Sequence, residues 1–278
     1  MKTRSLTLLL LLCCSVLLSA QPLDATRFEE RSLALGAGCT NLKDTYLSPL
    51  SYSGTHATLM SEYFSQAKTS SGRWFTQSLF TLHGDYATLA SGNGLTIGGM
   101  ADYSYTYYYK LPFKGQGLRV YVGPQGQLRM GGLYNLRNSN NPAQLKLGIH
   151  LAASAIAQYD FALWSTPMNV RLQTDLPLLG TAFGPDYGQS YYEIFYLGQS
   201  NGCVHLTSLH NNLSLRANLS YDIELSPCTL RLTLANDLYQ WSLGNQQYRL
   251  FTHTAMIGFV RNLYRVTRDE EARRHIPY

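Results

Sequence analysis

The stretch MADYSYTYYYKL, residues 100–111, decides the fold because its side chains alternate in character. Ala101 and the tyrosines at every second position after it share one face of an extended chain, while Asp102 and Ser104 lie on the other. A β-strand places successive side chains on opposite faces, so the pattern predicts a strand. The segment exceeds the usual strand length of about 5–6 residues. It reaches the roughly 9–11 residues with which a tilted strand crosses a membrane.

The same alternation recurs along the chain. The other strong segments are residues 144–161, 168–176, 213–225 and 230–234, and the weaker ones are residues 32–39, 54–64, 73–83, 117–122, 128–137, 190–197 and 248–264. They predict about twelve antiparallel strands, and the lack of a repeat of about 20–50 residues argues against a propeller.

Turn-forming residues separate several of these strands. We interpret Gly123-Pro124-Gln125-Gly126 as a tight turn between two short strands. Further breaks are expected at residues 138–142, 184–186, 226–227 and 243–245. No linker divides the chain, so we expect one all-β domain.

A transmembrane β-barrel explains these strands better than a secreted, soluble β-sandwich that binds a ligand, which remains the alternative. The chain has 21 tyrosines but only 14% charged residues. Tyr103–Tyr109, Tyr159, Phe161, Trp164 and Tyr221 lie where aromatic girdles would meet the two membrane interfaces. Closure into a barrel would also leave no exposed sheet edge, as lipid requires.

The first twenty residues predict export. Lys2 and Arg4 precede the apolar run Leu6–Leu18, and Ala20 ends a plausible cleavage site. The run is shorter than the roughly 20 residues of a membrane helix, although an uncleaved anchor is an alternative. We therefore expect a signal peptide over residues 1–20, a barrel domain over 21–265 and a polar tail over 266–278, with the protein in the cell outer membrane.

Charge and cysteine content exclude several classes of function. Without residues 1–20 the chain has 20 Lys and Arg against 17 Asp and Glu, a net charge of +3, which is too mild to predict a nucleic-acid partner. Cys39, Cys203 and Cys228 remain, and Cys203 could pair with Cys228 after export. Metal-ligand spacing and nucleotide motifs are absent, so we expect no cofactor and no metal.

Three stretches resemble an uncharacterised family of Bacteroidetes outer-membrane β-barrel proteins. They are PLLGTAFGPDYGQSYYEIFYLG at residues 177–198, DTYLSPL at residues 44–50 followed by Tyr52 and Gly54, and Asn140-Asn141-Pro142. The resemblance covers nearly the whole chain after residue 20. It implies an outer-membrane barrel that meets lipid and the outer-membrane assembly machinery, but no activity. Many such barrels end on an aromatic residue of the last strand, whereas here a charged tail follows Tyr264.

Polar residues on the non-apolar face of the strands are candidates for a lumen or ligand site. These candidates are Asp44, Tyr46, His150, Arg171, Asp175, Tyr192, Glu193, Arg216 and Glu224. For Asp44 and Tyr46 the structural alternative is turn architecture. Glu193 is expected in the lumen, on the strand face opposite Tyr192. It would belong there either to a ligand site or to a structural hydrogen-bonded network. The expected lumen has mixed charge signs, such as Arg171 with Asp175, which predicts internal pairing rather than ion selectivity.

Three classes of function stay open. The first is a narrow pore or small-solute channel, and the second is a non-conducting structural or adhesion barrel. The third is a barrel enzyme that acts on lipid. The sequence favours this class less than the other two, and it identifies no catalytic residues. A serine activated by a histidine would serve such an enzyme, but no G-x-S-x-G motif occurs. Histidines such as His150 and His253 cannot be paired with a serine from sequence.

Overall fold

The computed structural model describes residues 28–67, 72–113, 117–163, 166–225 and 228–262. Their elements are β1 (Glu29–Asp44), β2 (Ser48–Gln66), β3 (Trp74–Thr88), β4 (Leu95–Lys110), β5 (Leu118–Asn135), β6 (Ala143–Leu163), β7 (Thr166–Phe183), α1 (Tyr191–Phe195), β8 (Val204–Ser208), β9 (Leu215–Leu225), β10 (Cys228–Leu243) and β11 (Gln246–Asn262). No helix among these residues is long and apolar enough to cross a bilayer. The predicted signal peptide, the polar tail and the break at 226–227 lie outside the described residues.

Ten strands form a closed antiparallel barrel. Strands β1 to β7 pair in sequence order, β7 pairs with β9, and β9, β10 and β11 lead back to β1. The strand β8 pairs with Leu179–Phe183 of β7, whereas β9 pairs with Met168–Asp175 of the same strand. Closure of the single sheet excludes the two packed sheets of a sandwich.

The prediction of about twelve strands was wrong in detail. Residues 118–135 form one strand because Gly123 lies against β4, where a Cβ would come 2.1 Å from the carbonyl oxygen of Tyr107. The glycine therefore permits close approach of two strands and does not make a turn. Residues 191–195 are helical, and the five-residue strand β8 was missed because it is too short to show alternation.

The two faces of the wall differ as the alternation predicted. In β4, Tyr103, Tyr105 and Tyr107 are exposed on the outside, whereas Asp102 and Ser104 are buried inside. Other outward apolar residues are Leu35, Phe80, Leu82, Leu128, Met130, Ile149, Leu151, Leu172, Leu219, Leu232, Leu234, Ile257 and Phe259. A polar interior with an apolar exterior is the arrangement of a barrel that faces lipid.

Apolar side chains fill both ends of the barrel. We call the end at which β1 begins and β11 finishes the terminal end. There, Phe64, Phe75, Tyr108, Tyr121 and Ile156 form one cluster. A second cluster at the opposite end contains Leu42, Leu47, Met100, Leu133, Ala182, Tyr239, Trp241, Leu243, Tyr248 and Leu250. A third, smaller cluster lies between them and consists of Ala34, Met60, Leu79, Ala235 and Met256. Apolar and polar side chains therefore share the lumen along its length.

The backbone approach at Gly38 gives a first prediction. A Cβ at this position in β1 would lie 1.8 Å from the carbonyl oxygen of His253 in β11. We expect Gly38→Ala to destabilise the barrel by about 1–3 kcal/mol because the two strands must move apart. Urea unfolding in detergent, followed by the mobility of the unheated band on a gel, measures this change.

The matched control is Gly126→Ala in β5, where an added Cβ meets nothing within 4 Å. Its effect should stay within about 0.5 kcal/mol. Equal stability of the two variants would contradict the close packing inferred at Gly38.

Candidate functional site: the barrel interior

Arg231 is the centre of a charged cluster in the terminal half of the lumen. Its guanidinium donates to both carboxylate oxygens of Asp222 at 2.7 Å, to Glu30 at 2.8 Å and to Glu62 at 2.8 Å. The side chain is 2% exposed. We name Glu30, Glu62, Arg171, Asp222 and Arg231 the terminal cluster. Because β1, β2, β7, β9 and β10 each supply one member, it connects strands around the wall.

Glu62 extends the terminal cluster across the lumen. Its Oε1 accepts a hydrogen bond from Arg171 of β7 at 2.6 Å and one from Gln77 of β3. Gln77 and Gln173 then exchange hydrogen bonds at 2.8 and 3.0 Å. Since β2 and β3 do not pair with β7 in the sheet, these contacts cross the interior and occupy it.

A second group of charges, the central cluster, contains Asp102, Arg129, Arg216 and Asp237. Arg129 donates to the two oxygens of Asp102 at 2.7 and 3.2 Å. Arg216 donates to Asp237 at 3.0 Å and lies 3.4 Å from Asp102. The guanidinium of Arg129 also lies over the Tyr239 ring, 3.2 Å from its centroid. Two arginines and two aspartates leave this cluster electrically neutral.

Asp44 and Tyr46 lie at the opposite end of the barrel. Asp44 is buried and forms an ion pair with Lys146 at 2.7 Å, while its Oδ1 accepts from the backbone N–H of Tyr46 at 3.0 Å. The Tyr46 hydroxyl donates to the carbonyl of Gln189 at 3.1 Å, and its ring packs edge-on against Tyr191. Burial raises the pKa of Tyr46 and raises that of Tyr191 to about 12, so both phenols stay neutral at physiological pH.

Three buried residues have the order of a nucleophile, a base and a carboxylate. The Thr58 hydroxyl lies 2.6 Å from Nε2 of His56, and Nδ1 of His56 lies 2.8 Å from Asp85. Hydrolases use this order to activate a hydroxyl. Here each residue is at most 5% exposed, so a substrate could not reach the hydroxyl, and we interpret the group as part of the packed interior. The sequence alone could not show that these three residues meet, because they lie on two strands.

The central cluster borders a cavity of about 20 Å³. Asp102, Arg129, Asp175 and Arg216 line it, together with His150. A cavity needs about 10–15 Å³ to hold one water molecule. The space is therefore far too small for a solute.

Five predicted site residues face the interior: Asp44, His150, Arg171, Asp175 and Arg216. The expected pair of Arg171 with Asp175 does not form. Arg171 pairs with Glu62 and Glu30, whereas Asp175 accepts hydrogen bonds from Ser154 and Gln173.

The remaining candidates lie elsewhere. Glu224 is half-buried near the terminal end of β9, and Tyr192 is 60% exposed on α1. The prediction that Glu193 faces the lumen was wrong, because its carboxylate caps α1 by accepting from the Ser190 backbone at 2.7 Å and from the Ser190 hydroxyl at 2.9 Å. These bonds lower the pKa of Glu193.

The possible disulfide between Cys203 and Cys228 does not form. Cys39, Cys203 and Cys228 are all free. Cys203 precedes β8 at the opposite end, whereas Cys228 begins β10 at the terminal end, so the barrel separates them. Burial raises the pKa of the Cys203 thiol, which donates weakly to Gln189. Within the described residues, no group of three His, Cys, Asp or Glu side chains could hold a metal ion.

Ten closed strands with an apolar outer wall and an ion-paired interior define an outer-membrane-type β-barrel, and its specific role is unknown. Residues 6–270 match the family described as "Protein of unknown function (DUF3316)", and the chain belongs to that family. A search of curated proteins finds no match.

The chain is also similar to solved structures. The outer membrane protease OmpT from Escherichia coli is 6% identical, with 88% of this chain and 99% of that chain covered and a TM-score of 0.50. The transport unit of the autotransporter AIDA-I from Escherichia coli is 10% identical, with 88% and 92% covered and a TM-score of 0.46. At such identities the likeness concerns the fold alone.

Proposed function

We propose that the chain is a non-conducting barrel of a bacterial outer membrane whose opposite-end surface contacts a partner outside the cell. The observation that carries this proposal is the filled lumen. The terminal and central clusters occupy it together with apolar clusters at both ends and between them. Barrels of 16–18 strands leave an aqueous channel, whereas one of about 8 strands is just wide enough for side chains to fill.

The apolar outer wall supports the membrane location. Leu35, Leu234 and Ile257 are each more than half exposed on neighbouring strands, and water would disfavour such a surface. Acyl chains of the outer-membrane lipid are the proposed contacts. Export by the predicted signal peptide and insertion by the outer-membrane assembly machinery complete this proposal, and an origin in Bacteroidetes remains a prediction from the resemblance.

The segment between β7 and β8 supports the proposed role at the surface. Tyr187, Tyr192 and Tyr196 are between 60% and 76% exposed. Tyr192 and Tyr196 stack with ring centroids 4.8 Å apart. Exposed aromatic side chains offer a large contact area with little entropy to lose, as binding surfaces require.

Cell fractionation tests the location. We expect recovery with the outer membrane and a band that shifts when the detergent extract is boiled. Recovery in a soluble fraction without a shift would overturn the membrane proposal.

Single-channel recording in planar bilayers tests the closed lumen. We expect no stable conductance steps from the purified protein, because ion pairs and apolar layers fill the path. A 16-stranded porin inserted into the same bilayers is the positive control. Reproducible steps whose frequency follows protein concentration would instead support the narrow pore.

A further inference from the structure

Three glycines leave part of the outer wall without side chains. Gly84, Gly99 and Gly132 are register partners on β3, β4 and β5. A Cβ added to Gly84 or Gly99 would meet nothing closer than 3.7 Å. Ile97 and Tyr134, the outward residues two positions nearer the opposite end, are more than 40% exposed. The row is therefore a recess with a floor of backbone.

The helix α1 covers one side of this recess. The Tyr191 hydroxyl accepts a hydrogen bond from the backbone N–H of Leu145 in β6 at 2.6 Å, which fixes the helix against the wall. Phe195 stacks on Tyr191 with centroids 5.9 Å apart. Wall and helix border an open groove of about 660 Å³ that is lined mainly by Ile97, Gly99, Gly132, Tyr134, Leu145 and Phe195. This volume lies within the range of about 300–1,000 Å³ typical of ligand sites.

We propose that the groove binds one acyl chain of a membrane phospholipid more tightly than the surrounding lipid. This inference rests on the proposed membrane location. The lining is apolar, and towards the terminal end the groove meets the exposed Leu82 and Met130 of the outer wall, so a chain can enter from the bilayer.

The apolar lining of the groove and its continuity with the apolar outer wall favour an acyl chain over a protein partner. On each strand the outward residues on the two sides of the glycine lie about 13 Å apart, and their side chains narrow the space between them. Tyr86 and Tyr134 are the register partners of Ile97 on the neighbouring strands, on the side of the opposite end. Their hydroxyls would suit a lipid headgroup.

Native mass spectrometry of the detergent-purified protein tests the site, with dimyristoylphosphatidylcholine as the probe. We expect one retained phospholipid. Gly99→Leu places a side chain in the groove and should lower the retained fraction on the order of a hundredfold, since each displaced methylene costs a factor of about four. Gly126→Leu is the control, because Gly126 also faces outward from β5 into open space; it should retain the lipid.

A second variant separates binding from folding. Phe195→Ala removes the side chain of α1 that borders the groove. Because Phe195 is 67% exposed, the substitution should leave the strands unchanged, and it too should release the lipid. Equal retention by wild type, Gly99→Leu and Phe195→Ala would overturn the groove. Retention of free myristate without retention of the phospholipid would overturn the assignment to membrane lipid.

A gel of boiled and unboiled samples distinguishes failure of the groove proposal from failure of the proposed membrane location. A protein that needs no detergent and shows no shift contradicts the membrane location and the groove together. A barrel that shifts on boiling yet retains lipid equally in all variants contradicts the groove alone.

Discussion

Arg231→Met is expected to destabilise the barrel by roughly 3–5 kcal/mol, because removing one partner of a buried ion pair leaves the others uncompensated. The substitution would leave Asp222 without its bidentate partner and would remove a donor from Glu30 and Glu62. Arg171 would then neutralise only one of three buried carboxylates. Denaturant unfolding in detergent micelles, followed by tryptophan fluorescence, measures the loss.

The control for this prediction is the same substitution at Arg249. This side chain is exposed on the outer face of β11, so Arg249→Met should change stability by no more than about 0.5 kcal/mol. Arg231→Lys is a second comparison, since lysine keeps the charge but loses the planar fork that binds Asp222, and it should fall between wild type and Arg231→Met. Similar losses for Arg231→Met and Arg249→Met would show that the terminal cluster does not hold the barrel together.

The wall of the barrel could be predicted from sequence because alternation is local. Each residue of 100–111 is assigned to a face by its neighbours in the chain, and the structure has the same assignment up to the end of β4 at Lys110. The strand count could not be predicted as well. Gly123-Pro124 is a turn signal by composition, but the segment pairs with β4 and β6 instead, and Gly123 lies close to the Tyr107 carbonyl of β4.

The interior shows a sharper division between what could and could not be predicted. Alternation placed Arg171, Asp175 and Arg216 inside, but it could not choose their partners. The contact of Arg171 with Glu62 joins residues 109 positions apart across the lumen, and that distance depends on how many strands close the barrel. The prediction of about twelve strands therefore placed these side chains on the correct face of the wall, but it did not identify their ion-pair partners.

Glu193 is a different case, because its local signal was present in the sequence. Ser190 and Glu193 have the S-x-x-E spacing of a capping box, which predicts a helix start. The apparent alternation of Tyr192, Ile194 and Tyr196 led instead to the prediction of a strand. A stretch of five residues is too short for a period of two to outweigh a capping motif, and α1 has the capping-box geometry.

The central cluster gives the second large effect. Asp102→Leu should cost about 3–5 kcal/mol, because it removes the bidentate carboxylate from the buried Arg129 and one contact from Arg216. Arg129→Leu should cost less, since Asp102 would keep Arg216 at 3.4 Å and Arg216 would keep Asp237. Unfolding of both single variants in the same detergent gives the two costs.

The double variant Asp102→Leu/Arg129→Leu decides what the pair contributes. Neither charge is then left alone, and apolar replacement of a buried pair is often neutral, so the double variant should be more stable than Asp102→Leu by about 0.5–3 kcal/mol. Strict additivity of the two single effects would contradict direct coupling between Asp102 and Arg129. The double variant can also be recorded in planar bilayers. If it regains stability and still gives no conductance steps, then side chains that fill the lumen, and not the charges they carry, keep the barrel closed.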